Sequence, residues 1–173
     1  MVGIKAEEVI ERLDLAPLPG EGGFYRQTWL SDLLLEGAQI QEKYHESKPA
    51  GSAIYFLLTK GEKGFSALHS LPTDEVYHFY CGSSVEIWLF FLEGRECRRV
   101  VLGNRLERGE TPQLTVPAGC VQGSRLCEGE WALLGTTMAP AFTKRDFSLA
   151  DSDRLIRDFP HRKTVIEALS RKE

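Results

Sequence analysis

The chain of 173 residues has no long apolar run, few basic residues and few cysteines, and each scarcity excludes a class of protein or site. It has no apolar run near the roughly 20 residues that a membrane helix needs, so we expect no membrane association. Basic residues are in the minority, since 21 Lys and Arg stand against 25 Asp and Glu and the formal net charge is −4. Nucleic-acid-binding domains usually carry a basic surface, so DNA and RNA are not expected partners. The hydrophobic share of 42% is that of an ordinary globular protein.

Cysteine is also sparse, and its spacing excludes two kinds of site. The four cysteines form no Cys-x-x-Cys pair, which argues against a zinc knuckle and against a thioredoxin-like dithiol. The first residues, MVGIKAEEVIERL, lack the apolar stretch of a secretory signal. We therefore expect reduced thiols and a cytoplasmic location.

What the chain has in abundance is short strand-like segments from residue 52 onward. They are rich in branched and aromatic residues, and turns such as CGSS and CEGE separate them. This spacing predicts the antiparallel strands of a sandwich or barrel rather than alternating βαβ units. The predicted strands are 52–59, 65–69, 75–80, 85–92, 97–102, 113–117, 121–126 and 131–138.

Helical patterns flank these strands. KAEEVIERL (5–13) precedes them, and DSDRLIRDF and KTVIEALS follow them. FYRQTW (24–29) predicts a further strand, and residues 31–50 a polar loop. We see no linker, so we expect a single domain over residues 1–173 with its β core at about 24–150.

Two of the predicted strands are apolar on both faces. VEIWLFFL (85–92) and WALLGTTM (131–138) do not alternate as cleanly as a strand with one solvated face would. Either helices of the chain or a second subunit must cover the second face. We expect a homodimer formed by strand packing.

Two stretches carry recognisable motifs. GFSALHSLPTDEVYHFYCG (64–82) resembles the first motif of the cupin superfamily, in which a glycine leads to a His-x-His pair, a glutamate follows and a glycine ends the next strand. Gly64, His69, Glu75 and Gly82 occupy these places. PAGCVQG (117–123) resembles the second motif, Pro-x-Gly followed by a histidine. The resemblance implies an all-β fold, the double-stranded β-helix or cupin jelly roll, with short N-terminal and C-terminal helices.

Further segments narrow the resemblance to one subfamily. GGFYRQTW, DEVYH (74–78), GETPQLTVPAG and MAPAFTKRDFSLAD are together similar to the cupin_5 group, a domain of unknown function (DUF985). The resemblance runs from about Leu13 to Asp158. It implies less about function, because one fold hosts many activities.

The chain departs from the metal-binding cupin pattern in two places. The second histidine of His-x-His falls at Leu71, and the histidine of the second motif falls at Gln122. Imidazole and carboxylate ligands suit iron, manganese or zinc, whereas the neutral amide of Gln122 is a poor replacement for imidazole. We therefore predict no metal ligands and no cofactor, and a metal-dependent enzyme remains an alternative.

The remaining polar groups predict a small-molecule pocket. If Glu75 points into the barrel, alternation along the strand turns Tyr77 inward as well and His78 outward, unless a bulge intervenes. We expect His69, Glu75, Tyr77 and Gln122 to converge from neighbouring strands, as polar groups do in ligand cavities. In this hypothesis His69 is the base, Tyr77 is the acid, and Glu75 fixes the tautomer of His69.

Three residues are candidates for ligand binding, namely Arg26, His78 and Gln122. The guanidinium of Arg26 offers a planar fork that suits carboxylate or phosphate. His78 is a candidate through its place in the DEVYH run. The alternatives stay open: Arg26 can form a surface ion pair, and His69 and Tyr77 can be ordinary core residues.

The resemblance also implies a ligand class. Sugar-nucleotide epimerases share the general fold and use histidine and tyrosine without metal, which favours a phosphorylated, nucleotide or nucleotide-sugar-like ligand. The corresponding chemistry is of epimerase or isomerase type, with proton abstraction next to a carbonyl. A non-catalytic binding module would use the same residues, so the sequence leaves open whether the protein is an enzyme.

Overall fold

The computed structural model describes residues 4–61 and 63–171. Residues 1–3, 62, 172 and 173, which fall within the predicted domain, lie outside the described residues. The strands are β1 Ala16–Pro17, β2 Phe24–Leu30, β3 Leu34–Leu35, β4 Lys48–Pro49, β5 Ser52–Thr59, β6 Ser66–Ser70, β7 Glu75–Gly82, β8 Val85–Phe91, β9 Glu96–Leu102, β10 Gln113–Val116, β11 Val121–Leu126, β12 Trp131–Met138 and β13 Ser148–Leu149. The helices are α1 Ala6–Leu13, α2 Ala38–Tyr44, α3 Ser152–Asp158 and α4 Lys163–Ala168.

Two antiparallel sheets form the body of the molecule. The first has the order β1-β2-β5-β12-β7-β10, and the second the order β13-β6-β11-β8-β9. Apolar side chains of both sheets, such as Phe56, Ile87 and Leu134, form the main core. This is the predicted cupin jelly roll, and the eight strands predicted from residue 52 onward are confirmed to within two residues at each end.

The outer face of the first sheet is partly covered by α1. Val9 of this helix is buried with Leu57, and Leu133 of β12 packs against the same cluster. The helix begins where the Lys5 N–H donates to Glu8 Oε2 over 3.0 Å. The second apolar face of β12 is thus covered within the chain.

The outer face of the second sheet is covered by α3 and α4. Phe90 of β8 is buried with Leu155, Phe159 and Ile166, and the rings of Phe90 and Phe159 have centroids 5.2 Å apart. The chain's own helices thus cover β8 and part of the outer face of the first sheet, and the homodimer stays a prediction. No described helix has the length and apolar character needed to cross a membrane.

Residues 31–50, expected to be a polar loop, contain β3, α2 and β4. The segment is attached to the body through Tyr44, whose hydroxyl accepts a hydrogen bond from Thr73 Oγ1 over 3.0 Å. Lys48 Nζ lies 4.8 Å from the centre of the Tyr44 ring, a cation–π distance. These tertiary contacts order a stretch whose own sequence pattern is weak.

Candidate functional site

A cavity of about 600 Å³ opens between the sheets at one end of the barrel. It lies where β5 and β7 begin and β12 ends, and the loops before β2 and after β12 complete its wall. The apolar part of the wall comprises Tyr25, Ile54, Leu71, Met138, Phe142 and Phe147. The main polar groups are Glu21, Gln27, Ser52, Glu75, Thr136 and Lys144.

Glu75 is the predicted site residue that faces this cavity. Its side chain is only 7% exposed, and Gln122 Nε2 donates a hydrogen bond to Glu75 Oε2 over 2.7 Å. Burial raises the pKa of the Glu75 carboxyl, and the negative charge of Glu21 raises it further. His69 and the hydrogen bonds from Thr136 and Gln122 lower it, but the net shift is upward. Glu75 therefore takes up a proton more readily than an ordinary glutamate.

His69 and Gln122 lie behind the cavity surface. They are direct partners across β6 and β11, and each is only 1% exposed. His69 Nδ1 lies 2.7 Å from the Ala67 carbonyl oxygen, which can only accept, so Nδ1 is the donor of this hydrogen bond. The imidazole stacks on Phe147, with ring centroids 5.1 Å apart. Their expected positions at the pocket surface are thus corrected, because Phe147 and Glu75 stand in front of them.

Tyr77 belongs to the main core. It is 1% exposed and packs with the apolar side chains between the sheets. Burial and the neighbouring carboxylates of Glu75 and Glu21 raise the pKa of the phenol well above its usual value. Tyr77 is therefore a neutral hydrogen-bond donor beside Glu75, and its expected position in the pocket wall is corrected.

Arg26 and His78 lie on the outer face of the first sheet, away from the cavity. Tyr25 and Gln27 line the cavity, so alternation turns Arg26 outward, where its guanidinium lies 5.5 Å from the centre of the Tyr55 ring. His78 Nε2 is 3.1 Å from Thr137 Oγ1, and Gln113 Nε2 is 3.2 Å from His78 Nδ1. Arg26 therefore does not line the cavity, and His78 lies on the outward face to which strand alternation assigns it.

Glu21 is a cavity residue that the sequence reasoning missed. It lies in the PLPGEGG turn, and its Oε1 accepts a hydrogen bond from Ser66 Oγ over 2.6 Å. Its backbone carbonyl also accepts the Ala67 N–H over 2.9 Å, which ties the turn to β6. A turn rich in glycine and proline has no periodic pattern, so the sequence does not indicate that the Glu21 side chain points inward.

The wall segment 139–147 is anchored by a buried ion pair. Lys48 Nζ pairs with Asp146 Oδ2, and the Lys48 side chain is fully buried. The Thr143 N–H donates to the same Asp146 oxygen over 2.7 Å. These contacts hold Phe142, Lys144 and Phe147 at the cavity. The segment lies within MAPAFTKRDFSLAD, one of the stretches that carry the family resemblance.

The donor groups at this end of the barrel do not fit a metal ion. Leu71 contributes no donor atom, and Gln122 presents an N–H to Glu75 rather than a lone pair. In the part of the chain that the structure describes, no group of three or more His, Cys, Asp and Glu side chains is arranged to hold a metal.

Two solved structures resemble the whole chain. A Shewanella oneidensis protein, known from an X-ray crystal structure, is 35% identical and superposes with a TM-score of 0.85 over 99% of this chain and 100% of that one. A hypothetical protein from Leishmania major is 30% identical, with a TM-score of 0.83 over 98% of this chain and 100% of that one.

A more distant likeness shows the fold alone. Oxalate decarboxylase from Bacillus subtilis is 15% identical, with a TM-score of 0.54 over 92% of this chain, which spans only 38% of that protein. A search of curated proteins gave no match. The model of the Cupin_5 family, described as "Cupin superfamily (DUF985)", matches residues 7–150. Together with the jelly roll and the two nearly full-length likenesses, this match shows that the chain belongs to the DUF985 family of the cupin superfamily.

Proposed function

We propose that the protein binds a small hydroxylated molecule, such as a sugar, in the barrel cavity and that Glu75 exchanges a proton with it. The observation that carries this proposal is the position of Glu75, a buried carboxyl with a raised pKa at the surface of a cavity of about 600 Å³. Small-molecule sites typically have volumes of about 300–1,000 Å³ and combine apolar walls with a few polar groups.

The polar groups favour the sugar part of the ligand classes expected from the sequence. Glu21 and Glu75 accept hydrogen bonds from hydroxyl groups, and Gln27, Ser52 and Thr136 can donate or accept. The aromatic ring of Tyr25 offers an apolar surface to the carbon skeleton. An anionic group such as a phosphate would repel the two carboxylates, so we assign it to Lys144, which is exposed at the cavity mouth.

Glu75 is the acid–base group of the proposed reaction. A carboxyl whose pKa is raised towards neutral pH is a better proton acceptor and donor at that pH than an ordinary glutamate. Gln122, His69 and Tyr77 support it from behind, through the hydrogen bond, the electrostatic interaction and the packing described above. The reaction is then proton abstraction next to a carbonyl, as in an epimerase or isomerase.

The experiment has two steps. Thermal-shift measurements with monosaccharides, sugar phosphates, nucleotides and nucleotide sugars identify a binder, and NMR in deuterated water then follows exchange of its C–H protons. We expect Glu75→Gln to lower the exchange rate by about 100-fold or more, the usual contribution of a general acid or base. Glu130→Gln changes an exposed carboxylate and serves as the matched control.

Three outcomes separate the alternatives. Exchange that disappears in Glu75→Gln supports the proposed chemistry. Binding to the wild type without exchange supports a non-catalytic binding module instead. A binder whose affinity and exchange rate are the same in Glu75→Gln and in the wild type contradicts the proposed role of the cavity.

A further inference from the structure

Gln122 stands at the position where the second cupin motif has a histidine, and its amide is bonded to the carboxylate of the cavity. We propose that Gln122 excludes divalent metal ions from this end of the barrel, because its N–H holds the Glu75 oxygen that a metal would bind. This inference rests on the proposed function in treating the cavity as the ligand site. It concerns metal binding, so it is tested without an organic ligand.

Four positions converge at this end of the barrel. His69 and Gln122 are direct partners across β6 and β11, so an imidazole at position 122 would stand beside that of His69. Gln122 already reaches Glu75 over 2.7 Å. Leu71 follows His69 by two residues and lines the same cavity as Glu75. Positions 69, 71, 75 and 122 therefore surround a common space.

The chemistry of two side chains prevents this space from holding an ion. The Gln122 amide presents Nε2 to Glu75 Oε2, and an N–H cannot ligate a metal. The other amide atom, Oε1, is buried and has no hydrogen-bond partner among the described residues. A metal between Glu75 and Gln122 would have to break the 2.7 Å hydrogen bond and turn the amide over.

Leu71 stands where the first cupin motif has its second histidine, so that ligand is missing. Its side chain is buried in the cavity wall and offers only carbon atoms. Of the four positions 69, 71, 75 and 122, only His69 and Glu75 then carry a metal-binding group, and two ligands are fewer than the three or four protein ligands of a stable transition-metal site. Imidazole at positions 71 and 122 would complete such a set.

The test is a titration of purified protein with Co²⁺, followed by its visible d–d absorption and by elemental analysis after dialysis. We compare the wild type, Gln122→His, and the double variant Leu71→His/Gln122→His. The control Leu33→His/Leu106→His adds two imidazoles at strongly exposed leucines. Circular dichroism and thermal unfolding verify that each variant is folded.

We expect the double variant to bind an equivalent of Co²⁺ on the order of 100-fold more tightly than the wild type, and Gln122→His alone to bind with intermediate affinity. The surface control should bind like the wild type. Adding His69→Ala to the double variant should abolish the Co²⁺ absorption, since His69 would be one of the ligands.

Two results would overturn the inference. One is stoichiometric Co²⁺ in the wild type with an absorption band that His69→Ala removes. The other is a folded Gln122→His or double variant that binds Co²⁺ no more tightly than the surface control. Neither result bears on sugar binding or C–H exchange, so failure of this inference and failure of the proposed function are distinguishable.

Discussion

The imidazole of His69 and the phenyl ring of Phe147 stack with an interplanar angle of 29° and centroids 5.1 Å apart. His69 is buried at the end of β6, whereas Phe147 belongs to the wall segment that follows β12. This stack joins the cavity wall to the interior of the second sheet. The orientation of the His69 ring therefore depends on how the wall segment 139–147 is anchored.

The first prediction concerns this stack. Phe147→Ala should shift the ring ¹H resonances of His69 in NMR spectra and lower the free energy of unfolding by more than about 1 kcal/mol, since the aromatic pair contributes about 0.5–1.5 kcal/mol beyond the apolar area that Phe147 buries. Phe142→Ala is the matched control, because Phe142 lines the same cavity but does not stack on His69. Equal shifts in both variants would show that the stack does not form.

The second prediction concerns the anchor of the wall segment. Lys48→Met should lower the free energy of unfolding by about 3–5 kcal/mol, because it leaves the buried carboxylate of Asp146 without its partner. Urea unfolding measures this change. Lys60→Met breaks the exposed pair with Glu130 and should cost about 1 kcal/mol or less. A similar cost for both substitutions would contradict the structural role of the buried pair.

The third prediction concerns pH. The folded protein raises the pKa of Glu75 above the ordinary value of 4.5, so between these two values the folded state binds more protons than the unfolded state. The contribution of Glu75 to stability is therefore full below about pH 4.5 and decreases as the pH rises through the raised pKa. Urea unfolding across pH should show wild type losing stability relative to Glu75→Gln over this window. Glu130→Gln should track the wild type.

The stability of wild type relative to Glu75→Gln should only fall as the pH rises through this window. Glu86 and Glu110 have lowered pKa values, because hydrogen bonds from arginine and other groups outweigh the effect of burial. They titrate alike in wild type and in Glu75→Gln and cancel in the comparison. Wild type that gains stability over the variant as the pH rises would refute the upward shift of the Glu75 pKa.

The fourth prediction concerns the end of the first motif. Gly82 has a φ of +99°, and a Cβ atom there would lie 2.6 Å from the Trp131 carbonyl oxygen. Gly82→Ala should therefore lower the free energy of unfolding by about 1–3 kcal/mol, the usual cost of a strained backbone conformation. Gly94→Ala is the control, since nothing lies within 4 Å of a Cβ there. Thermal unfolding compares the two variants, and an unchanged Gly82→Ala would contradict this local geometry.

Much of the fold could be predicted because it is encoded locally. Branched and aromatic residues between turns gave the strands from 52 to 138 with errors of at most two residues. The places of Glu75 at the start of β7 and Gly82 at its end came instead from the resemblance to the first cupin motif. Period-two alternation also gave the relative directions of Glu75, Tyr77 and His78, since neighbouring side chains on a strand point to opposite faces.

The members of the cavity wall could not be predicted. Alternation says that Arg26 and its neighbours point in opposite directions, but only the pairing of β2 with β5 decides that Tyr25 and Gln27 face the cavity. Glu21 reaches the wall through a turn with no regular pattern. Phe147 covers His69 because Lys48, distant in sequence, anchors the loop beside it.

The sequence by itself thus determined β2 and the strands between residues 52 and 138, because hydrophobic periodicity and turn residues act over a few neighbouring positions, and its motifs carried the family resemblance. Only the tertiary structure decided which groups a ligand can reach, and that the chain's own helices pack on β8 and on part of the outer face of the first sheet. Burial and contact arise between residues far apart in the chain, so no local pattern contains them.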